Sequence, residues 1–405
     1  MKVMQATPSR VLGAMAATGV LVVSGLVGGA PSVSAHSGPS IRSVVGGLDN
    51  PRGLAIDDNG NLYVAEAGAY GGTDPFHSQP AEENGATTGA VSKWAHPGTP
   101  WQSKAWSTPF VGLYTNARGN PEVVGAGGLS IAGRDCGDNH HGDRGNCGVD
   151  VIIGESHSGF AKEAPGAPVP PQLGTLFGLS RRTGSATALS NVGDQQYQWT
   201  GDNASLYEPD FPDSNPYAVL VTPAGDHHGD HRGARTFVAD AGANTITEID
   251  HDGTTHVIAY IPNDGVRDAT PTCIASGPDG ALYVGTLNLF KNGFGQNPGH
   301  SDVWRIDPNT QEDYLHAAHL WTTGLTTVTS CAFDRGGNFW ATEMFANDVV
   351  RIPFRHPATL THIGDATTTP LPGGIAVGPR DSVYVTINSL TMTPHTGAVV
   401  KISSH

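Results

Sequence analysis

Long hydrophobic runs, long amphipathic helices and basic charge are scarce in this sequence. After residue 35 no apolar run is long enough to span a bilayer, so we expect no membrane span in the mature chain. Lys and Arg total 22 against 37 Asp and Glu, and no basic stripe alternates with aromatics. Because a chain this acidic repels the phosphate backbone, we do not expect nucleic acid to be a partner. The 54 glycines and 29 prolines are typical of short strands joined by turns.

The first 35 residues differ from the rest of the chain. Lys2 and Arg10 give a basic start to an apolar, small-residue segment, and the Val-Ser-Ala at 33–35 resembles a signal-peptidase site. This pattern predicts a signal peptide over residues 1–35 and secretion of residues 36–405 as a single domain. The alternative interpretation of the segment is a membrane anchor. Acidity of the mature chain favours solubility and attracts cations.

The sequence repeats one two-strand unit six times. In its clearest copy, residues 271–286, an apolar run precedes a Pro-Asp-Gly turn, whose glycine supplies the positive φ of a tight hairpin, and the strand Leu-Tyr-Val follows. The central position of that strand recurs at Tyr63, Ile152, Phe237, Tyr283, Trp340 and Tyr384. The last four are 46, 57 and 44 residues apart. These intervals match the length of one four-stranded propeller blade.

A second marker, an alternating strand downstream of each of these positions, also occurs six times. Its copies are 89–94, 175–180, 244–249, 301–306, 347–352 and 397–402. Two independent markers therefore predict an all-β fold, a six-bladed β-propeller. The chain ends at the third-strand marker of its last blade. We therefore expect the N-terminal strand, residues 41–48, to complete that blade and close the ring.

The four cysteines fit an oxidising compartment. Cys136 and Cys147 close a short polar loop, and we predict a disulfide between them. Cys273 and Cys331 occupy corresponding positions at the start of consecutive innermost strands. These two cysteines either pair across the blades or remain buried thiols.

Connections between blades, and between strands two and three of a blade, open on one face of a propeller. Most long insertions fall on this face, which we call the loop-rich face. Long loops on a rigid scaffold commonly carry binding functions. The candidate ligand-binding residues at the mouth of the channel on this face are Asn50, Arg52, Glu66, Glu155, Asp213, Asn215, Asp240 and Glu343.

Four of these candidates are carboxylates three places after the repeated strand position: Glu66, Glu155, Asp240 and Glu343. Carboxylates that converge on a channel mouth could hold Ca²⁺, a hard cation that needs six or more oxygen ligands. The favoured interpretation is structural, because buried backbone amides need partners and such carboxylates can tie strands together.

Two similar insertions, 138–145 and 226–233, are rich in His and Asp and lie in neighbouring blades, on the face opposite the loop-rich face. The candidate metal ligands are His140, His141, Asp143, His227, His228, Asp230 and His231. These residue types suit Zn²⁺ or another transition metal. Adjacent histidines on one loop rarely both face one ion, so a solvated polar loop is the favoured interpretation.

Several runs resemble the ScyD/ScyE family of exported propellers. They include N-P-R-G-L-A-I at 50–56, F-V-A-D-A-G-A-N at 237–244, G-P-D-G-A-L-Y-V at 277–284 and P-G-G-I-A-V-G-P at 372–379. The resemblance covers most of 41–402 and implies a six-bladed, NHL-like propeller, in a family named for genes associated with scytonemin biosynthesis. It implies no catalytic residue set. The sequence departs from the family in its two His/Asp-rich insertions and in Arg380-Asp381, which replaces the usual Asp-Gly.

The main functional prediction is a monomeric, non-catalytic module that binds a small molecule or a protein through the loop-rich face, with Ca²⁺ as the candidate cofactor. The alternatives are a metal-dependent lactonase-like or lyase-like enzyme and a purely structural interaction domain. No nucleophile motif is present: G-E-S-H-S at 154–158 lacks the final glycine of G-x-S-x-G, and the sequence shows no helical pattern after it.

Overall fold

The repeated two-strand units fold into six four-stranded antiparallel sheets, the blades of a β-propeller, which confirms the predicted fold class. The structure is a computed structural model. It describes residues 39–69, 88–115, 122–131, 148–163, 165–166, 169–207, 212–222, 234–290, 298–391 and 393–403.

The first three blades follow one another along the chain, each from its innermost to its outermost strand. Blade 1 contains β2 (Pro51–Ile56), β3 (Leu62–Glu66), β4 (Gly89–Ala95) and β5 (Ser103–Phe110). Blade 2 contains β8 (Ala126–Ile131), β9 (Gly148–Ile153), β10 (Thr175–Ser180) and β11 (Ala186–Asn191). Blade 3 contains β12 (Pro216–Thr222), β13 (Arg235–Asp240), β14 (Thr245–Ile249) and β15 (Thr255–Tyr260).

The last three blades have the same order, except that the outer strand of blade 6 comes from the N-terminal part of the chain. Blade 4 contains β17 (Pro271–Ser276), β18 (Leu282–Thr286), β20 (Ser301–Ile306) and β21 (Ala318–Leu325). Blade 5 contains β22 (Val328–Phe333), β23 (Asn338–Glu343), β24 (Asp348–Pro353) and β25 (Thr361–Ile363). Blade 6 contains β26 (Ile375–Val377), β27 (Val383–Ile387), β28 (Gly397–Ser403) and β1 (Ser40–Leu48).

The ring is closed by the pairing of β1 with β28, as the strand arrangement in the sequence predicts. The register places Ile41 opposite Ile402 and Arg42 opposite Lys401. Val44, Val45 and Leu48 of β1 are buried. The strand therefore contributes both a ladder of hydrogen bonds and part of the core of blade 6.

The repeated aromatic position and the turn that precedes it form one hydrogen-bonded unit. In blade 1 the Tyr63 hydroxyl donates to Asp57 Oδ2 (3.0 Å), and in blade 5 Trp340 Nε1 donates to Asp334 Oδ2 (2.8 Å). Both carboxylates also accept backbone N–H groups of their own turn. Blade 4 has the same contact from a tyrosine hydroxyl to the turn aspartate. The turn and the strand recur together because each satisfies a buried polar group of the other.

The core is divided among the interfaces between blades. In one cluster Tyr63 and Val91 of blade 1 pack with Val151 and Leu179 of blade 2. Buried alternate residues on both faces of each sheet therefore hold neighbouring blades together, as expected for a structure in which each repeat contacts its neighbours.

Cys273 and Cys331 form a disulfide between β17 and β22, with Cα atoms 5.6 Å apart. The two cysteines do not occupy the same repeat position, contrary to the sequence alignment. Ala275 lies opposite Tyr283 and Ala332 opposite Trp340, so Cys331 is one residue closer to its turn than Cys273. Side chains alternate between the faces of a strand. A one-residue offset therefore turns the two thiols towards each other across neighbouring blades.

Additional elements lie in the connections. Two small sheets pair β6 (Leu113–Thr115) with β7 (Glu122–Val124) and β16 (Arg267–Asp268) with β19 (Leu289–Phe290). The helices are α1 (His157–Glu163) and α2 (Val192–Asp202), with single 3-10 turns at Ala204–Leu206 and Pro379–Asp381. Within the described residues, neither helix has the length and apolar character needed to cross a membrane.

Helix α1 was not expected, because the sequence shows no helical pattern after 154–158. The helix follows β9 through Glu155, whose φ is 63°. Ser156 does not act as an exposed nucleophile there. It is fully buried, and its Oγ accepts the Gly159 N–H (2.9 Å) at the start of the helix.

Candidate functional site: the loop-rich face

Asn50, one of the predicted mouth residues, connects the first and last blades. It precedes β2 with a φ of 46°. Its Nδ2 donates to the Gly68 carbonyl (2.9 Å), and its Oδ1 accepts the Thr391 N–H (2.7 Å) from the loop between β27 and β28. Both the nitrogen and the oxygen of this buried side-chain amide therefore form hydrogen bonds that hold loops in place.

Glu66 ends β3 and faces the connection from blade 6. Its Oε2 accepts the Asp49 N–H (2.8 Å), and its side chain is nearly buried. Burial raises the pKa of Glu66, and the hydrogen bond from Asp49 acts in the opposite direction. Glu66 therefore links the end of β3 to the segment that connects blade 6 with blade 1.

Asp240, Asn215 and Glu155 form a network between blades 2 and 3. Asp240 is fully buried, and its Oδ1 accepts the backbone N–H groups of Asn215 (2.8 Å) and Ala243 (2.9 Å). The Asn215 Oδ1 accepts the Glu155 N–H (2.9 Å). Burial raises the pKa of Asp240, while these hydrogen bonds lower it. The nearby Asp213 is held through its backbone, whose N–H and carbonyl both bond to Thr200 Oγ1.

Arg52 lies beside the central channel, which is narrow. The cavity between the innermost strands has a volume of about 60 Å³ and is lined mainly by small or apolar residues of those strands. This volume holds a few water molecules. Sites for drug-sized ligands are about 300–1,000 Å³. The described part of the channel therefore does not offer a substrate-sized pocket.

Glu343 lies close to two other possible metal ligands, Asp348 and His362. One of its oxygens, Oε1, accepts the Thr326 N–H. The other, Oε2, faces Asp348 and lies 3.1 Å from His362 Nδ1. That nitrogen is also 3.0 Å from Asp348 Oδ2. Burial and the charge of Asp348 raise the pKa of Glu343.

The repeat pattern in the sequence indicates Glu343 but neither Asp348 nor His362. Glu343 and Asp348 lie opposite each other in the β23–β24 hairpin, a pairing that a short turn between the two strand markers already implies. His362 comes from β25, where it lies opposite Val350. No local pattern in the sequence indicates the register of that outer strand.

Charge is distributed unequally between the two ends of the ring. Thirteen described carboxylates belong to strand ends and connections on the loop-rich face: Asp49, Glu66, Glu155, Asp194, Asp202, Asp213, Asp240, Asp264, Asp268, Asp302, Glu343, Asp348 and Asp365. Three basic side chains described there are Arg52, Lys162 and Arg267. Raised pKa values at Glu66, Asp240 and Glu343 reduce the formal excess, but the face remains strongly acidic.

The opposite half, with the connections between strands one and two and between strands three and four, is balanced. Its twelve described basic residues are Arg42, Lys93, Lys104, Arg181, Arg182, Arg235, Arg305, Arg335, Arg351, Arg355, Arg380 and Lys401. Its twelve described carboxylates are Asp57, Asp58, Asp150, Glu248, Asp250, Asp252, Asp279, Asp307, Glu312, Asp313, Asp334 and Asp381. Several of them form pairs, such as Arg235 with Glu248.

The comparisons with known proteins show the fold. No model of a known protein family matches the chain, and no curated protein matches it. A luciferin-regenerating enzyme is similar in structure, with a TM-score of 0.50 and 11% identity over 91% of this chain and 96% of its own. The PQQ-bound aldose sugar dehydrogenase of Streptomyces coelicolor has a TM-score of 0.51 and 11% identity over 90% and 98%. A gluconolactonase of Xanthomonas campestris has a TM-score of 0.48 and 10% identity over 90% and 89%.

Some predicted residues lie outside the described residues. They are the metal candidates His140, His141, Asp143, His227, His228, Asp230 and His231 and the cysteines Cys136 and Cys147. The signal peptide, 1–35, also lies outside the described residues. These assignments stay predictions.

Proposed function

We propose that this protein is an exported, non-catalytic propeller of the ScyD/ScyE type that binds a cationic ligand through its loop-rich face. The unequal charge of the two ends of the ring is the observation that supports this function. A surface with one sign of charge attracts ligands of the other sign and orients their approach. Ammonium groups of a small polyamine and of a lysine-rich protein segment share the chemistry that this face would recognise.

The state of the predicted mouth carboxylates supports binding rather than catalysis. Glu66 and Asp240 accept backbone N–H groups, so their lone pairs serve the fold. General acid–base catalysis needs a group within hydrogen-bond reach of a substrate proton. On the same face, the half-buried Asp302 and the exposed Asp365 add negative charge.

A metal-dependent lactonase-like enzyme is the second candidate function. Gluconolactonases are among the proteins that share the fold, but at about 10% identity the likeness extends to the fold alone. An enzyme of this kind would need a substrate-sized pocket beside its metal ion. Hydrolysis of a simple lactone by the purified protein, lost after chelation, would support this second function over the first.

The test of the first function is a calorimetric titration of the mature protein, in EDTA, with spermidine and with an octalysine peptide, at low and at high salt. We expect binding that weakens as salt rises. The double variant Asp302→Asn/Asp365→Asn on the loop-rich face should bind about tenfold more weakly, or about 1.4 kcal/mol. Binding of spermidine alone would identify a small polyamine, and binding of the peptide alone a protein segment.

The matched control is Asp252→Asn/Asp307→Asn on the opposite half, which also removes two negative charges. Asp252 and Asp307, like Asp365, are exposed carboxylates that accept backbone N–H groups in turns. The control should bind like the wild type. Equal weakening in both double variants would mean that net charge alone is responsible, and absence of heat with both probes would overturn the proposal.

A further inference from the structure

We propose that Glu343, Asp348 and His362 form a binding site for one divalent transition-metal ion, with Zn²⁺ the best suited, in the outer half of blade 5. The three side chains come from neighbouring strands, β23, β24 and β25. One ligand atom from each lies within 4.8 Å of the others. The site is separate from the channel, which is lined by the innermost strands, and it does not depend on the proposed binding of a cationic ligand.

The spacing of the donor atoms fits a small ion. His362 Nδ1 lies 3.0 Å from Asp348 Oδ2 and 3.1 Å from Glu343 Oε2. Two ligand atoms that are each about 2.0–2.1 Å from a tetrahedral zinc ion are about 3.3 Å apart. The two distances from His362 Nδ1 differ from this spacing by only a few tenths of an ångström.

The burial of unsatisfied oxygen atoms is a second, independent observation. Glu343 Oε2 and Asp348 Oδ1 are both buried, and neither accepts a hydrogen bond from the described residues. The Glu343 side chain is only 1% exposed. A buried carboxylate oxygen without a partner is costly. A cation between the two carboxylates would satisfy both groups and remove their mutual repulsion.

The donor set selects the class of ion. A nitrogen ligand together with two carboxylates suits zinc and other first-row transition metals. Ca²⁺ takes six to eight oxygen ligands, which this cluster does not supply. Three protein ligands leave one position of a tetrahedral ion open. The His362 side chain is 48% exposed, so solvent can reach the site and a water molecule could serve as the fourth ligand.

The support around the ligands is consistent with a built site. The Thr326 N–H bonds to Glu343 Oε1 and so leaves Oε2 turned towards Asp348. This is the kind of outer contact that orients a metal ligand. Other histidines of the chain form simple pairs, for example His256 with Asp250 and His395 with Asp49. Within the described residues, His362 instead belongs to a group of three possible ligands for one ion, with Glu343 and Asp348.

The test uses the full mature protein stripped with EDTA and then titrated with Zn²⁺ against a chromophoric chelator. Separately, Co²⁺ is used as a visible-absorbing probe of geometry. The variants are His362→Ala and the isosteric Glu343→Gln, and the matched control is His256→Ala. The variant His227→Ala/His228→Ala tests for an ion held by the second of the two His/Asp-rich insertions, 226–233.

We expect the wild type, the His256→Ala control and the His227→Ala/His228→Ala variant to bind Zn²⁺ at one shared site. The variants His362→Ala and Glu343→Gln should lose this site or bind Zn²⁺ there at least tenfold more weakly. Bound Co²⁺ should give the intense visible bands of a tetrahedral ion, and these bands should be absent from the His362→Ala spectrum. Equal Zn²⁺ stoichiometry and affinity in wild type and both site variants would overturn the proposal. Because Glu343→Gln preserves the size of the side chain, its cooperative thermal unfolding checks that a loss of binding is not a loss of fold.

Discussion

The disulfide between Cys273 and Cys331 should be a major contributor to the stability of the ring. It joins the innermost strands of blades 4 and 5 and closes a loop of 58 residues. On the chain-entropy model, a loop of this length restricts the unfolded chain by about 4 kcal/mol at 25 °C. The double variant Cys273→Ala/Cys331→Ala should therefore lower the free energy of unfolding by about 4 kcal/mol.

Urea unfolding measured by tryptophan fluorescence is the assay. A chain of this size has an m value of at least about 3 kcal/mol/M, so the midpoint should fall by on the order of 1 M. The slope of the transition serves as a check that unfolding remains cooperative. Loss of the two buried sulfur atoms adds a smaller packing effect of its own.

Wild type unfolded in the presence of a reductant separates these contributions, because reduction breaks the bond and removes no atom. Its midpoint should approach that of the double variant. Under reductant, loss of the predicted Cys136–Cys147 bond would lower the urea midpoints of the wild type and of the double variant by the same amount. A double variant with the midpoint of the wild type, or a wild type insensitive to reductant throughout the transition, would refute the reasoning.

Further predictions address the closing strand, the buried carboxylate and the exported chain. Deleting residues 40–48 removes three buried aliphatic side chains, each of which stabilises the fold by about 1.5–3 kcal/mol. The melting temperature measured by calorimetry should therefore fall sharply. An unchanged melting temperature would contradict the role of β1. In EDTA, the wild type should lose stability as pH rises from 4.5, the ordinary pKa of Glu343, towards its raised value, because the folded protein holds a proton that the unfolded chain releases. Glu343 contributes at most about 1.4 kcal/mol per pH unit to this slope, and Glu66 and Asp240, whose pKa values are also raised, contribute separately. Glu343→Gln should therefore make the slope shallower; parallel pH profiles of urea midpoints would refute this. Secreted protein should begin at His36, and mass spectrometry that finds an intact N-terminus would disprove the cleavage. Non-reducing peptide mapping should recover Cys136 bonded to Cys147 rather than as a free thiol.

The fold could be predicted because its signals are local and repeated. The bond from Tyr63 to Asp57 joins two residues only six apart, so a short window of sequence contains both the turn and the strand. The same holds at Trp340 and Asp334. Ring closure followed from counting strands, which needs no knowledge of side-chain contacts.

The candidate site could be predicted only in part because its contacts cross between strands of uncertain register. Glu343 stands at a repeated position, and Asp348 follows it across a hairpin. His362 is brought to them by the outermost strand, β25, which has no marker of its own. The disulfide shows the same limit: an error of one residue in the alignment of Cys331 reverses the face on which its side chain lies.

Closure of the ring by its first strand also has a consequence for the time course of synthesis. Ile41 pairs with Ile402, so β1 is made first and has no partner strand until almost the whole chain has been translated. At about 5–20 residues per second, that interval is about 20–70 s. During it, Val44, Val45 and Leu48 belong to an unpaired strand whose edge can template wrong pairings. A cell that makes this protein therefore has to keep its first strand from aggregating until its last strand emerges.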